Sequence, residues 1–381
     1  MIHSRSDLSQ IKRVVVKVGS ALLTDEKQGV QMAMVESLVA QIVQLREAGI
    51  EVCLVTSGAV SLGRVRLNWT HRPLTVHEKQ AAAAVGQPLL MDAYQGAFAQ
   101  HGFTVAQLLL TKDDLRHRRR YLNARHTSST LFSAGVIPIV NENDTVVVEE
   151  IKFGDNDNLG ALVALVIDAD LLVLMTDVDG LYSDNPAQNP AAVRVSVIDE
   201  ITPNVLAMAG DVQSAFGTGG MRSKLQAATV ARRGGVGTAI VGGYVPMVLP
   251  NLIRGDALGT LILCSGDRQS RRRHWIHDLL QAEGRVFVDE GAEIAIVKQG
   301  ASLLSVGMVR VEGHFEKGAC VEVIGANGVI AKGLCNYHAD EMRQLCGLGS
   351  EQIEAVLGYV DYESMVHRDN LVCLISQVES A

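Results

Sequence analysis

The chain has 381 residues, of which 48% are hydrophobic and 20% charged, and carries a formal net charge of −8. These values fit a globular chain of two or three domains with large cores. They argue against a general affinity for nucleic acid or anionic membranes, and no apolar run reaches the roughly 18 residues that cross a bilayer. The first ten residues, MIHSRSDLSQ, contain no apolar stretch of a secretory signal. Six scattered cysteines with no CxxC pair point to a reducing, cytoplasmic setting.

Residues 12–18 (KRVVVKV) are a β-branched run and predict a strand ending in Lys17-Val18-Gly19-Ser20. A lysine beside a glycine turn at a strand end can meet a phosphate; an edge lysine with a turn glycine is the plainer alternative. Residues 31–48 place Val35, Leu38, Val39, Ile42 and Leu45 on one helical face, and Gly49 supplies the stop. Residues 51–56 (EVCLVT) predict the next strand, leading into Ser57 and Gly58. Strand, helix and strand with short links make a βαβ unit, so the two strands run parallel and their carboxyl ends share one edge. Ligands of open α/β sheets bind at that edge.

Residues 79–100 and 121–134 predict helices, 104–110 and 136–140 strands, and the basic run 116–120 a solvated, partly paired surface. Residues 141–158 (NENDTVVVEEIKFGDNDN) are the densest cluster of carboxylates and carboxamides in the chain. They are read as two loops, 141–145 and 154–158, flanking a hairpin whose first arm is 146–148. Polar groups between two core elements are costly unless they bind something; a surface turn is the alternative. A helix near 158–168 and a strand over 171–175 follow, ending in Thr176-Asp177-Val178-Asp179-Gly180. That run lacks the spacing of a calcium loop. Residues 217–224 (GTGGMRSK) form a glycine-rich turn opening a helix that extends to Arg233, with Lys224 in its first turn. Strands at 238–241 and 260–264 complete the sheet. Beyond the charged run 267–273, short alternating segments separated by glycine, AIVKQG at 295–300 among them, predict a small β-barrel or sandwich. Two short helical pieces are read near 339–345 and 350–356.

The motifs KVGSALLT (17–24), VTSGAV (55–60), IVNENDTV (139–146), KFGDNDNL (152–159), LMTDVDGLY (174–182) and GTGGMRSKLQAA (217–228) occur in the order of one family. As a set the chain resembles the glutamate 5-kinases, members of the amino acid kinases. The C-terminal segments DEGA (289–292) and GYVDYESMVHRDN (358–370) are similar to that family's appended PUA domain. The resemblance implies a three-layer αβα sandwich with an eight-stranded, mostly parallel sheet over 8–266, a linker over 267–284, and a β-rich PUA-like barrel over 285–373.

It also implies ATP-dependent phosphorylation of the γ-carboxylate of L-glutamate, the first step of proline synthesis, with feedback inhibition by L-proline and a dimeric or tetrameric assembly. Lys17 and Lys224 match the two phosphate-handling lysines, and Asp157 the carboxylate that orients them. Asp144 is assigned as the acceptor for the substrate ammonium, Asn141 and Asn156 give mixed donors and acceptors, and Ser57 and Gly58 on the neighbouring strand end suit the α-carboxylate. Gly19, Thr176, Asp177, Thr218, Gly219, Gly220, Met221, Arg222 and Ser223 join the lysines at ATP. Gly19, Gly219 and Gly220 would offer backbone N–H donors to phosphate. Mg²⁺ would arrive with ATP, held by phosphates and waters rather than by protein ligands. No histidine is needed, because the substrate carboxylate, with an ordinary pKa of about 4.3, is already a nucleophile at neutral pH. Residues 145–154 are read as a mobile element able to close over the substrate. The chain departs from the family at Ala21, where a hydroxyl is frequent, and at Ser223, where Thr is common.

Two other readings stay open. One is a kinase of aspartate or acetylglutamate. The other is an RNA-binding protein using the PUA-like module, against which residues 285–381 carry seven basic and fourteen acidic residues, a net of −7.

Overall fold

The computed structural model describes residues 2–25, 29–70, 72–146, 156–186, 188–210, 220–264 and 280–374. They form two compact units, one of residues 1–112 and 124–266, the other of residues 113–123 and 267–381.

In the first unit the strands are β1 (Arg13–Val18), β2 (Thr24–Asp25), β3 (Gly29–Val30), β4 (Glu51–Val55), β5 (Val105–Leu110), β6 (Ile137–Glu142), β7 (Leu171–Thr176), β8 (Val197–Ile198), β9 (Gly237–Gly242) and β10 (Thr260–Ile262). The helices up to β7 are α1 (Ser20–Leu23), α2 (Met32–Glu47), α3 (Ala59–Arg66), α4 (Val76–Ala99), α5 (Lys112–Arg116), α6 (Arg118–Ser133) and α7 (Asn156–Val166). After it come α8 (Pro203–Met208), α9 (Met221–Arg233) and α10 (Val248–Ile253). Most of α5 and the start of α6 count with the second unit.

Eight strands form one sheet in the order β5-β6-β4-β1-β7-β9-β10-β8. All neighbours are parallel except β9 and β10. A parallel sheet is covered on both faces, which is why its strands read as continuous apolar runs. Val14, Val16 and Val18 face one layer, packing with Leu38 and Ile42 of α2, Leu90 and Tyr94 of α4, and Leu252 of α10. The alternate residues Val15 and Lys17 turn to the other layer, where α7 and α9 pack together. Gly160 lets α7 approach β1 closely, since a Cβ there would lie 3.3 Å from Lys17 Cβ. The result is the three-layer sandwich.

The α3–α4 crossing is tighter still. A Cβ on Gly63 would lie 1.8 Å from the Ala82 carbonyl oxygen, and one on Gly86 would lie 1.8 Å from that of Ala59. The entry to α4 is fixed by a capping box in which Thr75 and Glu78 exchange hydrogen bonds, with Arg72 paired to Glu78.

Two features of the polar stretch differ from the sequence reading. Asn141 and Glu142 end strand β6, and Asn156 to Asn158 open helix α7, so neither set lies in a loop. The predicted hairpin arm and the mobile element fall largely on residues 147–155, outside the described residues.

The second unit is built on one six-stranded sheet of β11 (Gly284–Val288), β12 (Leu303–Leu304), β13 (Met308–Gly313), β14 (Cys320–Gly325), β15 (Gly328–Cys335) and β16 (Ser364–Cys373). Its order is β12-β16-β15-β14-β11-β13, and β11–β14 is the parallel pair. Among the described residues the ends β12 and β13 are not paired to each other, and the sheet is a curled half-barrel. AIVKQG, expected as a strand, belongs to a helix over Glu290–Gln299. The Asp289 side chain caps it by accepting from Ala292 N–H at 2.7 Å, and Gly300 ends it at φ 61°. Those flanking signals outweigh the three apolar residues between them.

Candidate active site

The carboxyl ends of β1, β4, β6 and β7 meet at the middle of the sheet. Lys17, next to last in β1, sits between Val55 of β4 and Leu174 of β7. Asp157 lies in the first turn of α7 and Lys224 in the first turn of α9. The three side chains come from separate elements and meet below the surface. Lys17 Nζ is 2.7 Å from Asp157 Oδ1, and Lys224 Nζ is 3.3 Å from Oδ2. Ser223 Oγ lies 2.7 Å from the same Oδ2. Asp157 is fully buried and both lysines nearly so.

Burial alone would push the Asp157 carboxyl up, but Lys17 and Lys224, together with the Lys17 and Ser223 hydrogen bonds, hold it below the usual carboxylate range. For Lys224 burial dominates and lowers the ammonium pKa, with Asp157 opposing and Lys17 adding to the fall. Two buried ammonium groups thus share one buried carboxylate, and Asp177 also acts on Lys224.

Beside this cluster the carboxamides form a chain of hydrogen bonds. Asn156 Nδ2 donates to the Thr56 carbonyl at 2.8 Å, to Ser57 Oγ at 3.1 Å and to Asn141 Oδ1 at 3.0 Å. Asn141 Oδ1 also accepts from Glu142 N–H, and Asn141 Nδ2 donates to Gln87 Oε1 at 2.7 Å. Gly58 starts α3 at φ 105°, a backbone that favours glycine, and a Cβ there would lie 2.7 Å from Thr24 Cγ2. Asp144 lies just past β6, and burial with Glu142 nearby pushes its carboxyl up to about 7.

On the other side of Lys224 opens a cavity of about 780 Å³, lined among others by Thr176, Asp177, Tyr182, Gly220, Met221 and Lys224. Thr176 Oγ1 donates to Asp177 Oδ1 at 2.9 Å, fixing the turn that leaves β7. Gly220 caps α9, so the first N–H groups of that helix lack partners from within the helix itself. Arg222 is exposed on α9, while Thr218 and Gly219 fall outside the described residues. The expectation for Gly19 needs correction. Its N–H donates to the Met175 carbonyl at 3.1 Å, so it extends the β1–β7 pairing and is not a free donor for phosphate.

The profile described as the amino acid kinase family matches residues 12–243, and that of the PUA domain matches residues 284–357. A glutamate 5-kinase of Geobacter sulfurreducens is 49% identical over 368 residues, spanning 96% of this chain and 99% of its own. That of Pelobacter propionicus is 49% identical over 366 residues, 96% of this chain and 98% of its own. That of Stutzerimonas stutzeri is 47% identical over 369 residues, 97% of this chain and 99% of its own. The chain belongs to the amino acid kinase family, among the glutamate 5-kinases.

Within this family member, three features of the site escaped the sequence. Gln87 supports Asn141 from 54 positions away, on a helix otherwise read only as Ala- and Gln-rich. Its neighbour Gly86, where α4 touches α3, signals close packing but not the partner. Tyr182 stands within a quoted motif, yet nothing in the spacing said that it lines the cavity. Ser223 was expected at the nucleotide; its hydroxyl lies against Asp157.

Proposed function

We propose that this kinase transfers the γ-phosphoryl group of ATP to the side-chain carboxylate of L-glutamate, giving the acyl phosphate that begins proline synthesis. The observation that carries the reading is the buried carboxylate of Asp157 gripped by two lysines from separate elements, beside a cavity of nucleotide size. In the reaction a γ-carboxylate oxygen forms a bond to the γ-phosphorus as the bond to the β,γ-bridging oxygen breaks, and ADP leaves. No proton moves from the nucleophile, which is ionised well above its ordinary pKa of about 4.3. The obstacle is one anion approaching another, and phosphoryl transfer is met mainly by positioning and charge.

Lys17 and Lys224 supply that charge to the phosphates and the transferring group. Asp157 keeps both ammonium groups aimed, with Ser223 holding its second oxygen. Asp144 accepts the substrate ammonium. Ser57, Gly58, Asn141 and Asn156 surround the rest of the amino acid, and Gln87 steadies Asn141. Thr176, Asp177, Gly220, Met221 and Arg222, with Thr218 and Gly219 of the glycine-rich turn, hold the nucleotide. Mg²⁺, bound through phosphates and waters, would neutralise phosphate charge further.

Hydroxylamine trapping of the acyl phosphate tests this, with glutamate, aspartate and N-acetylglutamate supplied side by side with ATP and Mg²⁺. Glutamate is expected to give hydroxamate well ahead of the other two; preference for another acid would reject the substrate assignment. The proposal extends to L-proline as an inhibitor at the amino-acid half of the site, read as competition with glutamate in the same assay. It extends also to a homo-oligomeric, cytoplasmic enzyme, tested by light scattering and by fractionation of cells.

A further inference from the structure

The wall of the cavity formed by residues 177–183 is tied down by a pair of charges that takes no direct part in lining it. Gly180 adopts φ 150°, and a Cβ there would lie 2.8 Å from Thr260 Oγ1 and 3.0 Å from Arg194 Cδ. This turn sends the Asp179 carboxylate away from the cavity and aims Leu181 N–H at Thr260 Oγ1, 2.8 Å away. Tyr182 remains in the lining. Its hydroxyl donates to Asp179 Oδ1 at 2.8 Å, while Arg194 Nη1 donates to Asp179 Oδ2 at 2.9 Å. Arg194 is anchored in turn by Nη2 donating to the Ala257 carbonyl at 3.0 Å. The backbone repeats the link: Val195 N–H donates to the Leu181 carbonyl and Ser183 N–H to that of Val193, bracketing a bridge between Tyr182 and Arg194.

From this geometry we propose that Asp179 and Arg194 are positioning residues that hold Tyr182 as a preset wall for the nucleotide, and so set nucleotide affinity without touching the transferred group. The inference rests on the nucleotide reading of the cavity. A tyrosine held at both backbone and hydroxyl loses little freedom on binding, and preorganisation of this kind appears as affinity. The ion pair is about one-third to two-fifths exposed on each side, so its worth is modest. A tether of this strength supports about a fivefold change in affinity, near 1 kcal/mol.

The test measures ADP binding by calorimetry and steady-state kinetics for the whole protein and for Arg194→Leu, Tyr182→Phe, the double variant and Arg194→Lys. Arg194→Leu and Tyr182→Phe are each expected to weaken ADP binding and raise KM for ATP about fivefold. For Arg194→Leu, which lies outside the cavity lining, KM for glutamate and kcat at saturating ATP should stay within about twofold. The double variant should be no worse than either single one, because both cut the same tether. Arg194→Lys should recover part of the loss. Unchanged binding in the single variants, additive losses in the double one, or an equal rise in both KM values would overturn the proposal. If the unaltered protein binds no ADP, the nucleotide reading itself fails, which is a separate outcome.

Discussion

Replacing Asp157 by Asn keeps the shape of the side chain and removes the charge that reconciles two buried ammonium groups. In the native protein Lys17 Nζ stands 2.7 Å and Lys224 Nζ 3.3 Å from this carboxylate, which has no exposure to solvent. Removing one partner of a buried ion pair costs about 3–5 kcal/mol, because the other charge stays desolvated. For a unit of this size 1 kcal/mol shifts the melting temperature by about 2–4 °C, so a fall of roughly 6–20 °C is expected.

The loss depends on pH in a defined direction. Burial already lowers the Lys224 pKa, and Asp157 is the largest influence opposing that fall. Without it the folded state holds its proton less tightly, while the unfolded lysine keeps a pKa of about 10.4. Between the lowered folded pKa and the unfolded one, the unfolded chain binds more protons, so stability rises with pH and falls as pH falls. Asp157→Asn should therefore be closest to the unaltered protein at the alkaline end of that window and furthest from it near neutrality. Turnover should drop by about two orders of magnitude or more, since neither ammonium is still aimed. Differential scanning calorimetry at about pH 7 and pH 9 reads the first effect, and hydroxamate formation reads the second. A melting temperature unchanged at both pH values, together with normal turnover, would falsify the claim that one carboxylate organises both lysines.

Other outcomes follow from the same geometry. Lys224→Ala should lower kcat by about a hundredfold or more with the fold intact by circular dichroism; near-normal kcat removes it from the chemistry. The Asp144 carboxyl, raised to about 7 by burial and Glu142, must be ionised to receive an ammonium. Accordingly kcat/KM for glutamate should be full above pH 7 and fall about tenfold per unit below it, and Asp144→Asn should abolish that slope while raising KM. A profile flat from pH 8 to pH 5.5 would contradict the assignment, these being the assay limits that bracket about pH 7. Gln87→Leu leaves Asn141 Nδ2 without its acceptor and should raise KM for glutamate several-fold with KM for ATP unchanged; parallel changes would argue for a general loosening of the fold. Gly63→Ala forces a Cβ into the Ala82 carbonyl and should cost about 3 kcal/mol, seen as a lower melting temperature. No change in melting would mean that α3 and α4 can separate freely.

Much of this fold was legible because parallel strands and amphipathic helices leave strong periodic patterns. β1, α2 and β4 lie within a residue or two of the expected spans, since Val14 to Val18 and the Val35–Leu45 stripe admit little else. What periodicity did not give were the short elements. The single turn of α1, the two-residue strands β2 and β3, and the helices α8 and α10 are too brief to show a period. The helix over Glu290–Gln299 was misread because Ala295 to Val297 look like a strand when Asp289 and Gly300 are ignored. In the site, motif residues such as Lys17, Asp157 and Lys224 could be named from the sequence. Their partners were harder: the Gly19 N–H is used by Met175, the link from Gln87 to Asn141 joins a helix to a strand 54 positions on, and that from Arg194 to Asp179 rests on a local bridge with no periodic signature.

The most direct measurement follows oxygen. Glutamate labelled with ¹⁸O in its γ-carboxylate is incubated with the protein, ATP and Mg²⁺, the product is cleaved at its acyl carbon by hydroxylamine, and the released phosphate is read by ³¹P NMR. Attack of the carboxylate on the γ-phosphorus predicts phosphate carrying label from glutamate, formed by the unaltered protein and reduced about a hundredfold with Lys224→Ala. Phosphate released without label would show that the carboxylate is not the nucleophile and would contradict the account.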